Sequence, residues 1–231
     1  MSKNNLNKII NEEVRNQFIL NERNVGRRKQ LQTITENTLQ GKTLISVDIQ
    51  PEYENWITFN LSDWVNFINR NAYDNRIVLL YNGADTLGMV SEGEYINWLF
   101  ELGVEEEVIN HAIFYDKGYA FFRTCMDSNI NMDNIVDLVQ YMINNDITDS
   151  NDIDEDMWND YIQTTQHNQE EVRELLENAD NMISVPDLMD FLKNYSNIVV
   201  FGGGINECLK EVEIALLALN KNYDILNQYT Y

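Results

Sequence analysis

The sequence predicts an α/β fold, a Rossmann-like doubly wound sheet of about five mainly parallel strands. Two observations carry that expectation. Five short runs rich in Val, Ile, Phe and Tyr punctuate the chain: TLISVDI (43–49), RIVLLYNG (76–83), HAIFYD (111–116), NIVVFGG (197–203) and YDILNQY (223–229). Runs that stay apolar without a polar alternate suit strands buried on both faces, as in a parallel sheet covered by helices. Between them lie helical patterns, LSDWVNFINR, SEGEYINWLFELG and ECLKEVEIALLALN, and strand alternating with helix is solved most simply by double winding. At 231 residues with 44% apolar content, the chain has material for one main core with an appendage.

Taken in order, residues 1–40 read as an amphipathic arm and linker. Leu6, Ile9, Ile10, Val14, Phe18 and Ile19 fall at helical spacing, giving a helix over 4–22 with one apolar stripe. Arg23, Arg27, Arg28 and Lys29 follow, then the polar linker TITENTLQGK. Such a stripe needs a surface to cover it, either the domain itself, a neighbouring subunit of a homo-oligomer, or a protein partner. Residues 41–231 form the α/β domain. Ser91 and Glu94 stand at capping-box spacing and mark a helix start. About 80 residues separate the third and fourth strands, with helical patterns near 131–144, 152–163, 168–178 and 185–194. That interval exceeds the needs of one crossover, so 125–195 reads as an acidic helical insertion or cap. Its DITDSNDIDED run lacks the turn glycine and the twelfth-position glutamate of a calcium loop, and is read as a solvated acidic surface.

Charge narrows the partners. The formal net charge is −22. Residues 1–40 hold seven basic against four acidic residues, and the rest holds nine against 34, so the domain stands at −25. A body that acidic repels phosphate backbones, which makes nucleic acid an unlikely partner. Two cysteines, Cys125 and Cys208, make neither a disulfide framework nor a paired metal motif, and point to a reducing compartment. No window approaches the roughly 18 apolar residues of a membrane span, so the expectation is a cytoplasmic protein with no membrane partner. Abundant Asn suggests an AT-rich coding genome, such as that of a phage, in which case the location is the host cytoplasm.

The candidate chemistry gathers where the strands end. Asp48 closes the first strand, Asp85 follows the second, Asp116 and Lys117 close the third, and Glu207 and Cys208 open the helix after the fourth. In open α/β sheets, ligands sit beyond these carboxyl ends. A thiol at a helix amino end meets the positive pole of the macrodipole and unpaired N–H groups, which favour a thiolate and can hold an oxyanion. The glycines before it let the backbone approach a substrate closely.

Three stretches together resemble a known family. LISVDIQPEY is similar to the first strand of the isochorismatase-like cysteine hydrolases, FYDKGYAFF to their lysine strand, and GGGINECL to their nucleophile turn, in the same order along the chain. The resemblance implies Asp48 as general base, Lys117 as the cation that favours the thiolate and positions substrate, and Cys208 as nucleophile. Gly204, Ile205 and Glu207 take the oxyanion and substrate-binding positions. The implied reaction is hydrolysis of a small amide or related substrate through a thioester-type intermediate, without a cofactor. Metal-bearing members hold the ion with Asp and His near the first strand, and His111 and His167 do not match that pattern, so no metal is expected.

Two other readings stay open. Asp48, Asp85, Asp116 and Glu207 could cluster around Mg²⁺ for phosphodiester hydrolysis, since the first strand and the glycine-rich turn also resemble nucleases of the PIN or NYN type. Alternatively the chain is a catalytically inactive binding or assembly protein on the hydrolase scaffold. In that case the acidic surface or the arm engages a protein partner.

Overall fold

Six strands form one parallel sheet: β1 (Arg28–Gln30), β2 (Thr43–Val47), β3 (Arg76–Tyr81), β4 (Ile113–Asp116), β5 (Ile198–Gly202) and β6 (Tyr223–Ile225), in the spatial order β1-β6-β5-β2-β3-β4. The structure, a computed structural model, describes residues 28–30, 39–83, 89–118, 132–164 and 187–231. Five strands coincide with the five apolar runs. The sixth, β1, lies inside the segment read as arm and linker and pairs in register with β6, Arg28 opposite Tyr223 and Gln30 opposite Ile225. An edge strand needs only backbone pairing, so RKQ carries no apolar signal to announce it. The helix expected over 4–22 lies outside the described residues.

The strand ends are trimmed relative to the apolar runs. β2 ends at Val47, short of Asp48 and Ile49, and 227–229 form a 3-10 turn instead of prolonging β6. The described α-helices are α1 (Leu61–Asn71), α2 (Glu92–Leu102), α3 (Glu106–His111), α4 (Met132–Asn144), α5 (Glu155–Thr164), α6 (Asp187–Lys193) and α7 (Cys208–Ala218). At α2 the expected capping box is complete: the Glu94 N–H donates to Ser91 Oγ, and Glu94 Oε2 accepts the Ser91 N–H at 3.0 Å. His111, placed by sequence at a strand start, instead ends α3. The expected 168–178 helix lies outside the described residues.

Two apolar layers enclose the sheet, because alternate side chains of each strand point to opposite faces. Leu44, Ile77, Leu79, Val199 and Phe201 pack with Trp64, Phe67 and Ile68 of α1 and with Tyr95 and Leu99 of α2. On the other face Ile45, Val47, Val78, Leu80 and Val200 pack with α4, α6 and α7, through Leu138, Val139, Met142, Leu188, Leu192, Val212 and Leu216. Part of the segment read as an acidic insertion is thus a core layer of the domain, its acidic residues outward and its apolar stripe on the sheet. Among the described residues no helix is long and apolar enough to cross a membrane.

The chain runs outward from β2 through β3 to β4, then returns to the opposite side of β2 with β5 and β6. The connection after β2 leads to α1 on one face, and that after β5 leads to α7 on the other. A crevice therefore opens between the carboxyl ends of β2 and β5, the topological switch point of the sheet.

Candidate active site

Asp48 stands at that switch point. Its N–H continues the ladder by donating to the Leu80 carbonyl at 2.9 Å, but its φ of 49° is left-handed. Such a conformation is uncommon outside glycine and is best tolerated by Asp and Asn. It turns the chain sharply out of β2 and leaves the carboxylate fully buried, at 0% exposure.

Lys117 follows β4, two strands away, and its N–H donates to the Tyr81 carbonyl at 2.9 Å. Its side chain reaches back across the end of β3, so that Nζ lies 3.0 Å from Asp48 Oδ2 with both side chains essentially inaccessible. Asn82, at the end of the intervening β3, fills the space between. Lys117 Nζ donates to Asn82 Oδ1 at 3.0 Å, and Asn82 Nδ2 donates to the Tyr53 hydroxyl at 2.9 Å and to Asp48 Oδ2 at 3.4 Å. The Asn82 N–H is in turn held by Gln50 Oε1 at 2.8 Å. Gln50, two residues beyond Asp48, thus locks the end of β3 rather than facing solvent. Tyr95, from α2, donates to the Ile49 carbonyl at 2.9 Å and fixes the same turn.

Cys208 is the first residue of α7 and is partly buried. The turn before it is built from glycines for identifiable reasons. Gly202 has a φ of 86°, and a side chain there would collide with the Val47 carbonyl across the β2–β5 pair; Gly203, at 62°, lies against the Leu209 amide. The Glu207 and Leu209 N–H groups both donate to the Gly204 carbonyl, at 2.9 and 3.2 Å.

The electrostatics are dominated by burial and by Asp48. Burial pushes the Cys208 thiol well above its ordinary pKa, the negative charge of Asp48 adds to this, and Lys117 only partly opposes them; Glu211, buried one turn further along α7, adds a smaller upward push. For Lys117 burial acts downward, but Asp48, Cys208 and Glu211 together outweigh it, and the ammonium is held above its ordinary range. A buried Asp48–Lys117 ion pair thus lies beside a thiol whose ionisation burial opposes. Asp48 Oδ1 is buried with no partner in good hydrogen-bond geometry. A hydrogen bond between the thiol and this carboxylate adds to the upward shift at sulfur. Tyr53 shares the space: burial raises its phenol to about 12, against the lowering effect of the Asn82 hydrogen bond.

Asp48, Lys117 and Cys208 thus converge, and the turn residues Gly204, Ile205 and Glu207 adjoin them. Ile205 is 43% exposed, and Glu207 is an exposed N-cap residue that makes no side-chain cap. Of the carboxylates proposed for Mg²⁺, Asp48 is paired with Lys117, and Asp116 Oδ1 accepts the Gly83 and Gly118 N–H groups at 2.9 and 3.1 Å. Asp85 lies outside the described residues. Among the described residues no group of three or more His, Cys, Asp or Glu is placed to hold a metal ion. Sequence reasoning missed Asn82, Tyr53, Glu211 and Tyr231. Asn82 was present in the quoted run RIVLLYNG, but its role depends on β3 lying between β2 and β4.

A separate cleft of about 640 Å³, lined by Lys42, Asn75, Arg76, His111 and Asn197 among others, opens at the amino ends of the strands. It is at the opposite edge of the sheet and takes no part in this arrangement. What fold and site define is a doubly wound α/β protein with an acid, an amine and a thiol at its switch point. No family model, curated protein or solved structure matches the chain.

Proposed function

We propose that the protein is an isochorismatase-like hydrolase that cleaves a small amide or related substrate with Cys208 as nucleophile. The observation that carries this reading is the buried Asp48–Lys117 pair, 3.0 Å apart, beside a thiol at the amino end of a helix, where the macrodipole favours developing negative charge. In the proposed reaction Asp48 takes the proton from Sγ as sulfur attacks the carbonyl carbon. Lys117 stays protonated and offsets the negative charge gathered on Asp48, sulfur and the oxyanion. The helix-terminal N–H of Cys208, with that of Asn206 in the preceding turn, is suited to hold the oxyanion. Collapse of the intermediate expels the amine, which leaves with the proton held by Asp48, and water then hydrolyses the thioester to acid and free thiol.

A high resting thiol pKa fits this order of events. The nucleophile is generated by proton transfer to Asp48 during attack instead of standing as a permanent thiolate.

The test is acylation by p-nitrophenyl acetate. A burst of about one equivalent of nitrophenol per chain is expected, with a hydroxylamine-labile acyl group mapped to Cys208. Cys208→Ser should lose that thioester. Asp48→Asn and Lys117→Met should slow its formation by roughly 10²-fold or more, in the range of general base and electrostatic contributions. Absence of an adduct on Cys208, or one formed equally fast in Asp48→Asn, would return the chain to the binding-protein reading.

A further inference from the structure

The chain after β6 comes back to the nucleophile turn. Tyr229 is the last firmly packed residue, buried among Phe59, Phe67 and Phe201 with its hydroxyl donating to the Asp63 carbonyl at 3.3 Å. Two residues later Tyr231 lies against the candidate site and is pinned there at three points. Its N–H donates to the Gly203 carbonyl at 3.2 Å, its carbonyl accepts the Ile205 N–H at 2.8 Å, and its hydroxyl donates to the Asp48 main-chain carbonyl at 3.0 Å. Burial, with Asp48 next in weight, pushes its phenol upward.

Two of the three bonds go to the glycine turn that presents Cys208, and the third goes to the residue that would accept its proton. A reactant approaching sulfur must enter beside this turn, and the Tyr231 carbonyl already sits on its Ile205 N–H. We infer that Tyr231 is an autoinhibitory plug, hinged at Thr230 beyond the Tyr229 anchor, which must swing out before a reactant reaches Cys208. The inference rests on the hydrolase reading only for the identity of the group that is covered. Because only the open fraction of molecules would react, the plug lowers the observed rate in proportion to its closed population.

Alkylation by iodoacetamide at pH 9, with adducts assigned to Cys208 by peptide mass mapping, measures that access without requiring catalysis. Tyr231→Ala should react at Cys208 at least about tenfold faster than the parent chain, and deletion of Thr230 and Tyr231 should do the same. Tyr231→Phe, which keeps both main-chain bonds and the ring, should stay within about threefold of the parent. A Tyr231→Ala rate within about twofold of the parent, with melting temperature and circular dichroism unchanged, overturns the plug. Should those variants fail to fold, the parent decides alone: a native rate at Cys208 within about tenfold of that in urea overturns it. Acylation by p-nitrophenyl acetate run in parallel separates this inference from the reading beneath it. Faster alkylation without acyl transfer in Tyr231→Ala sinks the hydrolase and leaves the plug, whereas equal acylation of parent and variant sinks the plug and leaves the hydrolase.

Discussion

Replacing Lys117 with Met is expected to destabilise the protein by about 3–5 kcal/mol, because it strands the Asp48 carboxylate in the interior without its counter-charge. The geometry makes this the most vulnerable polar contact described. Both side chains are inaccessible, the N–O distance is 3.0 Å, and Asp48 Oδ1 already lacks a partner, so no solvent can replace the lost ammonium. For a chain of this length the cost corresponds to a fall in melting temperature of roughly 6–20 °C. Removing both charges in Asp48→Asn/Lys117→Met should recover much of the loss, since a neutral pair no longer carries an uncompensated ion. Urea midpoints of the two single variants and the double variant form a thermodynamic cycle that isolates the coupling. A cost for Lys117→Met below about 1 kcal/mol would mean that the pair behaves as a surface ion pair, and the buried site as described would be wrong.

The same pair fixes a pH dependence. The folded-state pKa of Lys117 lies above its unfolded value. Its contribution is therefore complete below the unfolded value, near 10.4, and is lost as pH rises through the folded one. The stability gap between parent and Lys117→Met should hold constant from neutral pH to about 10 and narrow above it. Urea midpoints at pH 8, 10 and 11 measure this, and a gap that widened toward pH 11 would contradict it.

The central strands were legible because they are buried on both faces and so carry unbroken apolar runs; the burial of every residue of β2 and β5 is that signal in three dimensions. β1 was not legible, since RKQ holds no apolar run and its pairing with β6 leaves no mark in the sequence. The interval read as an acidic insertion shows where composition misleads. Charge on the outer face of α4 and α5 reads as an appendage, while Ile135, Leu138, Val139 and Met142 make α4 a core helix lying on the sheet.

The site was legible where a residue's place follows from its own strand. Asp48, Lys117 and Cys208 each sit one step past a strand end or at the start of a helix, and in a parallel sheet all such ends share one rim. What could not be read is the strand order. Lys117 needs Asn82 as its second partner only because β3 separates β2 from β4. Asp116, equally placed by sequence, instead turns its carboxylate onto the Gly83 and Gly118 amides, a local demand of the β3 and β4 ends. Tyr231 reaches Asp48 through a return of the chain that no periodicity announces.

The glycine turn itself is the other place where a single atom should matter. Gly202→Ala is expected to cost about 3 kcal/mol or more, from two sources that act together. A residue with a side chain is strained at a φ of 86°, by of order 1–3 kcal/mol, and the added methyl runs into the Val47 carbonyl, where overpacking costs a further 1–3 kcal/mol or so. That carbonyl belongs to the central strand, in register with Gly202 across the β2–β5 pair, so relief requires the two strands to part. Parting them would shift Cys208 away from Asp48, because the first is tied to β5 and the second to β2. Melting temperature should fall by roughly 6–12 °C, and in the fraction that folds, acylation at Cys208 should drop more than the lost stability explains. Gly41→Ala is the matched control: its φ of 75° carries the same backbone strain, but nothing lies within 4 Å of the added methyl, so it should show the strain cost alone and keep the acylation rate. If the two variants lose stability equally and both retain the rate, the close approach of β5 to β2 is not what seats the thiol.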